Sequence, residues 1–252
     1  MKELEKLHDK KYKYVFFDIF DTIVKRNVFP ENTKSIWANH LAKILDDEIT
    51  MTEIYEARQK IEYNLGFDNN NAGHDFEFTY KDLLKEMYKM FDFKMSQKDF
   101  IDLATRIEVS VESAVQIVDE EVIKEIKKLK SEGKKIYCVS DMYLSKDMIK
   151  QIFANHGIDD FFDDYFISCE YLKNKKSGAL YEVVLKNIKA KASECVMVGD
   201  NQYSDYESPK AKGIDAIHLN REKNHQGYQK MQDEAFEHEK DIYKKLEELA
   251  ST

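Results

Sequence analysis

The chain has 252 residues, of which 42% are hydrophobic, and a formal net charge of −9 at pH 7. This length and composition suit a globular protein with a substantial core and indicate neither a disordered chain nor a coiled coil. The acidic balance argues against nucleic acid or an anionic membrane surface as a partner. No apolar run approaches the ~18 residues of a membrane span, and the charged N-terminal stretch lacks a signal-peptide core, so we expect a cytoplasmic protein.

Five short runs rich in β-forming residues predict buried strands. They are the start of "YVFFDIFDTIV" (14–24) up to Asp18, and the runs "KKIYCVSD" (134–141), "DDYFISCE" (163–170), "CVMVGD" (195–200) and "DAIHLN" (215–220). Helical patterns separate the last four runs, and one of them has Ser145 as its predicted N-cap and Gly157 just after its end. Such alternation of strands and helices predicts an α/β fold with a parallel sheet.

The segment between the first two strands is far too long for a simple crossover and must hold a structure of its own. Three pairs in it have capping-box spacing: Thr50 with Glu53, Thr79 with Asp82, and Ser96 with Asp99. We therefore predict an inserted all-helical subdomain over residues 27–115. Gly66 is predicted to end one of its helices, and the polar stretch 66–78 to form a loop.

The remaining segments complete the predicted organisation. An α/β core is predicted over residues 12–26 and 116–220, and a helical extension over residues 221–252 whose apolar stripe packs on the core. Cys138, Cys169 and Cys195 lie far apart in apolar runs, which predicts buried reduced thiols and neither disulfides nor a zinc site.

Polar residues stand where the predicted strands end. Asp18 follows the first strand, Ser140 and Asp141 the second, and Asp200 the fourth, with Asp205 five residues later. The ends of parallel strands share one edge of a sheet, so we expect these side chains to converge. Converging carboxylates raise one another's pKa values unless a cation neutralises them, and oxygen ligands of this kind suit Mg²⁺. Lys175 or Lys176 would add a second positive charge.

Four motifs, in order, resemble those of the haloacid dehalogenase (HAD) superfamily. They are "VFFDIFDT", "VSD", "KKSG" and "VMVGDNQYSD", and the long helical insert occupies the place of a type C1 cap. The resemblance covers about residues 12–220. It implies a HAD-like Rossmannoid sheet with an inserted all-helical cap. "FDIFDT" together with "SDMYLS" is similar to a bacterial group of HAD-like hydrolases often associated with surface-polysaccharide genes.

The resemblance implies a Mg²⁺-dependent phosphatase that acts on a small phosphorylated metabolite. Asp18 would be the nucleophile, forming an aspartyl-phosphate, and would also bind Mg²⁺. The backbone carbonyl of Phe20 and the side chains of Asp200 and Asp205 would complete the protein's share of the metal shell.

The resemblance also implies a phosphate-binding set. Ser140 and the backbone N–H of Asp141 would hold a phosphoryl oxygen. Lys175, three residues before Gly178, is our choice for the lysine that orients Asp18, with Lys176 as the fallback. In the insert, His74 is the candidate for contact with the rest of the substrate.

Phe20 departs from the family's phosphatase pattern, which has an aspartate here as general acid and base. Asp21, one residue later, is a candidate replacement. Haloacid dehalogenases, which attack carbon without a metal, also carry an aromatic residue at this position, so a dehalogenase-like hydrolase is one alternative. A catalytically weak ligand-binding or regulatory protein is another. The "GD" of the fourth motif favours metal and phosphate.

Overall fold

The computed structural model describes residues 2–45, 48–221, 224 and 226–232. Within these residues the strands are β1 (Tyr14–Phe17), β2 (Val24–Arg26), β3 (Gln116–Val118), β4 (Lys135–Ser140), β5 (Asp164–Ile167), β6 (Cys195–Gly199) and β7 (Asp215–His218). The helices are α1 (Asn32–Ile44), α2 (Met51–Asn71), α3 (Tyr80–Met90), α4 (Gln97–Val115), α5 (Glu120–Ser131), α6 (Lys146–Asn155), α7 (Ser168–Tyr171), α8 (Ala179–Ile188) and α9 (Ser208–Ala211). Short helical turns occur at Lys2–His8, Asp159–Phe161, Ala192–Glu194 and Gln202–Glu207, and residues 226–232 are helical.

Five of the described strands form one parallel sheet in the order β5-β4-β1-β6-β7. The predicted α/β fold class is confirmed. Successive side chains of a strand point to opposite faces, and β1 shows the result, since Val15 and Phe17 join one apolar core while Phe16 joins another. β1 lies at the centre of the sheet and both of its faces are covered. The residues that follow β1, beginning with Asp18, are therefore attached to a rigid strand.

The described part of the insert between β2 and β3 contains four helices, α1 to α4, and β2 pairs with β3 in a small antiparallel ladder at its base. The predicted N-caps Thr50, Thr79 and Ser96 each accept a hydrogen bond from the backbone N–H three residues on. The β2–β3 ladder was not among the predicted elements. Each of its strands has only three residues, which is too short for a periodic pattern.

The prediction that Gly66 ends a helix is wrong, because α2 continues to Asn71. A Cβ atom at position 66 would lie 2.4 Å from the ring of Phe76, so the glycine lets this ring pack directly on the helix. Glycine costs a helix roughly 1 kcal/mol relative to alanine, and here a tertiary contact offsets that cost. The loop is thus shorter than the predicted span 66–78. The predicted strand run 163–170 is also shorter, since its second half forms α7.

A buried charge cluster joins the insert to the core. The guanidinium of Arg58, fully buried on α2, bonds Glu62 at 2.8 Å and both carboxylate oxygens of Glu108 at 2.8 and 3.0 Å. Tyr143, in the loop after β4, donates its hydroxyl to Glu108 at 2.7 Å. Its backbone carbonyl accepts from the N–H of Tyr80. The loop that follows Ser140 is therefore attached to helices of the insert.

The three cysteines are buried free thiols, as predicted. In the C-terminal segment Tyr228 is buried and Met231 is 39% exposed, and residues 222, 223, 225 and 233–252 of the predicted extension lie outside the described residues. None of the described helices is long and apolar enough to cross a membrane.

Replacing Arg58 by methionine is expected to destabilise the protein by about 3–5 kcal/mol, because Glu108 would remain as an uncompensated buried charge. Urea unfolding of the purified variant measures this loss. Arg106→Met on the exposed face of α4 is the matched control and should change the free energy of unfolding by less than about 0.5 kcal/mol. Equal effects of the two substitutions would contradict a structural role for the cluster.

Candidate active site at the carboxyl edge of the sheet

The carboxyl ends of β1, β4 and β6 bring the polar residues of the site together. Asp18 follows β1 directly, Ser140 ends β4, and Asp200 follows β6. The carboxylates of Asp18, Asp200 and Asp205 have oxygens that all lie within 4.8 Å of one another. The hydroxyl of Ser140 donates to Oδ1 of Asp18 at 3.1 Å. The convergence expected from the strand ends is thus the observed geometry.

Lys175 lies at the centre of this group. Its ammonium is 2.6 Å from Oδ1 of Asp18 and 2.6 Å from Oδ1 of Asp205, and the residue is only 3% exposed. Its backbone N–H donates to Asp141 at 2.8 Å, and its carbonyl accepts from the hydroxyl of Ser208. The neighbouring Lys176 is exposed. The hydrogen bonds of its backbone N–H and carbonyl therefore hold Lys175, and not Lys176, with its side chain toward the carboxylates.

Burial and charge set the protonation of the group. Burial raises the pKa of Asp18 to about 7, Lys175 opposes this rise, and the charges of Asp205 and Asp200 add to it. Burial lowers the pKa of the Lys175 ammonium, but the attraction of Asp18 and Asp205 outweighs it and holds this pKa well above its ordinary value. One ammonium against three carboxylates leaves two formal negative charges when all are ionised. A buried, all-oxygen site with this charge fits a divalent cation such as Mg²⁺.

Gly199, the last residue of β6, is what allows Asp205 to lie so close. A Cβ atom at position 199 would be 2.3 Å from Oδ2 of Asp205. The same Oδ2 accepts from the backbone N–H of Asn201 at 3.1 Å. Asp205 itself is fully buried. The glycine before Asp200 thus has a physical purpose, because any side chain there would displace the acid that holds Lys175.

A cavity of about 690 Å³ opens above these groups. Its lining includes Asp18, Phe20, Asp21, Ser140, Asp141, Lys175, Lys176, Asp200, Asn201, Tyr203, Ser204 and Asp205. Tyr203, which is 52% exposed and donates its backbone N–H to the N-capping residue Asn201, was not among the predicted site residues. Its sequence signal was its position within the fourth motif, two residues after Asn201. His74 is exposed and is not among the described residues that line this cavity.

Phe20 and Asp21 lie in a tight turn after Asp18. The guanidinium of Arg26 covers the ring of Phe20 at 4.1 Å. Asp21 has a left-handed backbone (φ 54°), and its Oδ1 accepts from the hydroxyl of Tyr228 at 3.0 Å and the amide of Asn224 at 3.2 Å. Asp21 borders the cavity, but one carboxylate oxygen is engaged by the C-terminal segment.

The insert also touches the loop that carries Lys175. The Asp75 carboxylate accepts from the N–H of Asn174 at 2.7 Å and the hydroxyl of Ser177 at 2.7 Å. Two residues on, Glu77 accepts from the hydroxyl of Ser168 at 2.8 Å. Burial raises the pKa of Glu77 from 4.5 to about 8, and the charges of Asp141 and Asp75 contribute to the rise. A largely buried carboxyl group thus lies between the insert and the core.

Glu77 is expected to make stability depend on pH. Between its ordinary pKa of 4.5 and about 8, the folded protein keeps a proton that the unfolded chain has lost, so stability falls as the pH rises through this window. Glu77→Gln removes this dependence. Chemical denaturation of both proteins across the window measures the difference in the free energy of unfolding.

The control for this comparison is Glu56→Gln, since Glu56 is exposed on α2. The control should follow the wild-type curve, whereas the wild type should lose stability relative to Glu77→Gln with rising pH. If the free energies of unfolding of the wild type and Glu77→Gln change in parallel with pH, the pKa of Glu77 is not raised in the folded protein.

This chain is similar to known proteins in sequence and in fold. The glyceraldehyde 3-phosphate phosphatase of Methanocaldococcus jannaschii is 26% identical over 224 residues, which span 89% of this chain and 90% of that protein. A 2-haloacid dehalogenase from Pseudomonas syringae pv. Tomato shares the fold with a TM-score of 0.62 at 17% identity, covering 83% of this chain and 86% of that one. A HAD phosphatase from Thermococcus onnurineus matches with a TM-score of 0.51 at 19% identity, with coverage of 83% and 86%.

The family model of the haloacid dehalogenase-like hydrolases matches residues 12–213. This segment contains β1, the whole insert, and every strand of the parallel sheet except β7. With most of its length matched, the chain belongs to the haloacid dehalogenase-like hydrolases.

Proposed function

We propose that this hydrolase is a Mg²⁺-dependent phosphatase that acts on small phosphorylated metabolites through an aspartyl-phosphate on Asp18. The observation that carries the proposal is the ammonium of Lys175 held between the carboxylates of Asp18 and Asp205, with Asp200 in the same cluster. A site with excess buried negative charge favours a divalent cation, and a metal-free attack on carbon gives Asp200 no evident purpose.

The chain offers a set of ligands for the ion. Both oxygens of Asp205 already accept hydrogen bonds, from Lys175 and from the N–H of Asn201. We therefore assign Asp18, Asp200 and the backbone carbonyl of Phe20 as the main ligands, and give Asp205 chiefly the task of fixing Lys175. When bound, Mg²⁺ would neutralise the charge of the carboxylates and of the incoming phosphate.

The chain's own residues would perform the following steps. A carboxylate oxygen of Asp18 attacks phosphorus, and the bond from phosphorus to the ester oxygen breaks, with the departing alkoxide taking a proton from Asp21 or from water. Lys175 and Ser140, both in contact with Asp18, hold the attacking carboxylate and compensate charge on the phosphoryl oxygens. Water then attacks phosphorus, the bond between phosphorus and the Asp18 oxygen breaks, and inorganic phosphate leaves while Asp18 returns as a carboxylate.

The cavity and the phosphatase relative support a small phosphorylated substrate. Phosphate would lie against Ser140, the N–H of Asp141 and Lys175, while Tyr203 and Lys176 at the cavity border would face the rest of the molecule. Glyceraldehyde 3-phosphate, named in the relative from Methanocaldococcus jannaschii, belongs in any substrate screen. His74 as a substrate contact stays a prediction, and closure of the insert would have to bring it nearer.

Asp18→Asn is expected to abolish phosphate release while leaving the fold intact, because the amide is nearly isosteric but is not a nucleophile. Asp200→Ala and EDTA should each suppress the activity by removing a ligand or the ion. Phosphate release from sugar phosphates, nucleotides and small phosphomonoesters, with and without Mg²⁺, measures these effects.

Circular dichroism and the melting temperature serve as folding controls for both variants. Full turnover by folded Asp18→Asn protein would contradict the mechanism in which Asp18 is the nucleophile. Halide release from 2-haloacids that persists in EDTA would favour dehalogenation, and ligand binding without turnover would indicate a binding protein.

Phe20→Asp is expected to speed hydrolysis of esters with poor alkoxide leaving groups more than that of p-nitrophenyl phosphate, because only the former need a proton. A general acid is typically worth about 10²- to 10⁴-fold, although the added charge beside Asp18 opposes the gain. The ratio of the two rates on one protein preparation is the measured quantity.

Asp21→Asn tests whether the wild type already has a general acid that protonates the leaving group. If Asp21 is the proton donor, this variant lowers the same ratio sharply and Phe20→Asp leaves it unchanged. If Phe20→Asp raises the ratio and Asp21→Asn leaves it unchanged, the wild type has no side chain that protonates the leaving group.

A further inference from the structure

The chain passes between core and insert twice, and both passages lie side by side. The outgoing passage runs from Asp18 through the turn at Asp21 into β2, and the returning passage runs from β3 to Asp119. The N–H of Asp119 donates to the carbonyl of Ile23 at 2.9 Å, which extends the β2–β3 ladder toward the core. The turn that presents Phe20 is thus the first part of this double connection.

Arg221, from the segment after β7, binds both passages with one guanidinium. Its Nε donates to the carbonyl of Asp21 at 3.0 Å, and its Nη2 donates to the carbonyl of Thr22 at 3.3 Å and to the carboxylate of Asp119 at 2.7 Å. The Arg221 side chain is only 16% exposed. The other oxygen of Asp119 accepts from the first amides of α5, so this acid is itself fixed.

Tyr228 adds a second attachment, seven residues further along the chain. Its hydroxyl donates to Oδ1 of Asp21 at 3.0 Å and accepts from the backbone N–H of Arg26 at 2.9 Å. Asn224 donates to the same oxygen of Asp21 at 3.2 Å. A left-handed aspartate is an uncommon conformation, and here one distant segment donates hydrogen bonds both to its backbone carbonyl and to one carboxylate oxygen.

On the far side of the turn, Arg26 covers the Phe20 ring and is itself paired with the fully buried Glu112. The turn is therefore held on two sides, by the C-terminal segment at Asp21 and by the ladder at Arg26. Phe20, whose carbonyl is a proposed metal ligand, lies between Asp18 and this fixed turn. A change in the turn would rotate the peptide groups that connect it to Asp18.

We infer that Arg221 and Tyr228 are positioning residues, which hold the Asp21 turn so that the Phe20 carbonyl and Asp18 keep the geometry needed for metal binding and attack. This inference rests on the proposed phosphatase function. Residues that fix metal ligands from the outer shell are typically worth about 10- to 100-fold in metal affinity or activity.

The experiment compares the full-length wild type with Arg221→Lys and Tyr228→Phe. Arg221→Lys keeps the charge but loses the fork that reaches both passages, and Tyr228→Phe loses only the hydroxyl. Met231→Ala is the control, because Met231 lies on the same helical segment and is 39% exposed. The readouts are hydrogen exchange of the backbone amides of residues 21–26, the Mg²⁺ concentration for half-maximal rate, kcat and KM for p-nitrophenyl phosphate, and the melting temperature.

We expect faster exchange at residues 21–26 in both variants, with a half-maximal Mg²⁺ concentration raised or a kcat lowered by about tenfold or more. KM and the melting temperature should change little, and Met231→Ala should match the wild type. A lower melting temperature with unchanged kcat and Mg²⁺ response would make the two residues merely structural and overturn the inference. Full activity of Arg221→Lys would also overturn it, since charge alone would then suffice.

Failure of the proposed function gives a different result. In that case the wild type releases no phosphate with Mg²⁺, while hydrogen exchange still reports whether Arg221 and Tyr228 hold the turn. Unchanged exchange in both variants rejects the inference whatever the enzyme's activity.

Discussion

The site depends on one buried cation between two carboxylates. The Lys175 ammonium reaches Asp18 and Asp205 at the same distance of 2.6 Å, in a place that water hardly enters. Removing either acid would leave a buried charge with a weaker partner, which is costly. The surrounding structure serves this contact: Asp141 and Ser208 fix the backbone of Lys175, and Gly199 makes room for Asp205. The parallel sheet supplies the common edge on which all of them meet.

The insert is coupled to this edge at two places that differ in chemistry. The loop after β4 is attached through Tyr143 to the Arg58–Glu108 cluster, in which the charges are paired and fully buried. The loop before Lys175 is attached through Asp75 and Glu77, where the carboxyl of Glu77 has a raised pKa. The contact through Tyr143 is held by paired, buried charges, whereas the contact through Asp75 and Glu77 is sensitive to protonation of Glu77. Motion of the helices would therefore reach Ser140 and Lys175 by separate routes.

The sheet and most of the site residues were predictable because they rest on local signals. Strands with acids at their carboxyl ends identify one edge, so Asp18, Ser140 and Asp200 were placed together from the sequence. Other features depend on contacts between distant residues. Nothing near Gly66 indicates that Phe76 packs on it, and nothing near Asp21 indicates that Arg221 and Tyr228 bind it. The short β2–β3 ladder exists only because two distant segments pair.

The hydrogen bonds at the Asp21 turn have a consequence for the order in which the protein forms. Chains are made from the amino end, and domains generally begin to fold during synthesis. The whole sheet, the insert and Lys175 precede Arg221 and Tyr228 in the chain. A nascent protein can thus assemble its core and its carboxylate cluster while the turn beside Asp18 still lacks its outer hydrogen bonds. The hydrogen bonds that hold this turn therefore form only after the segment that follows β7 has been made.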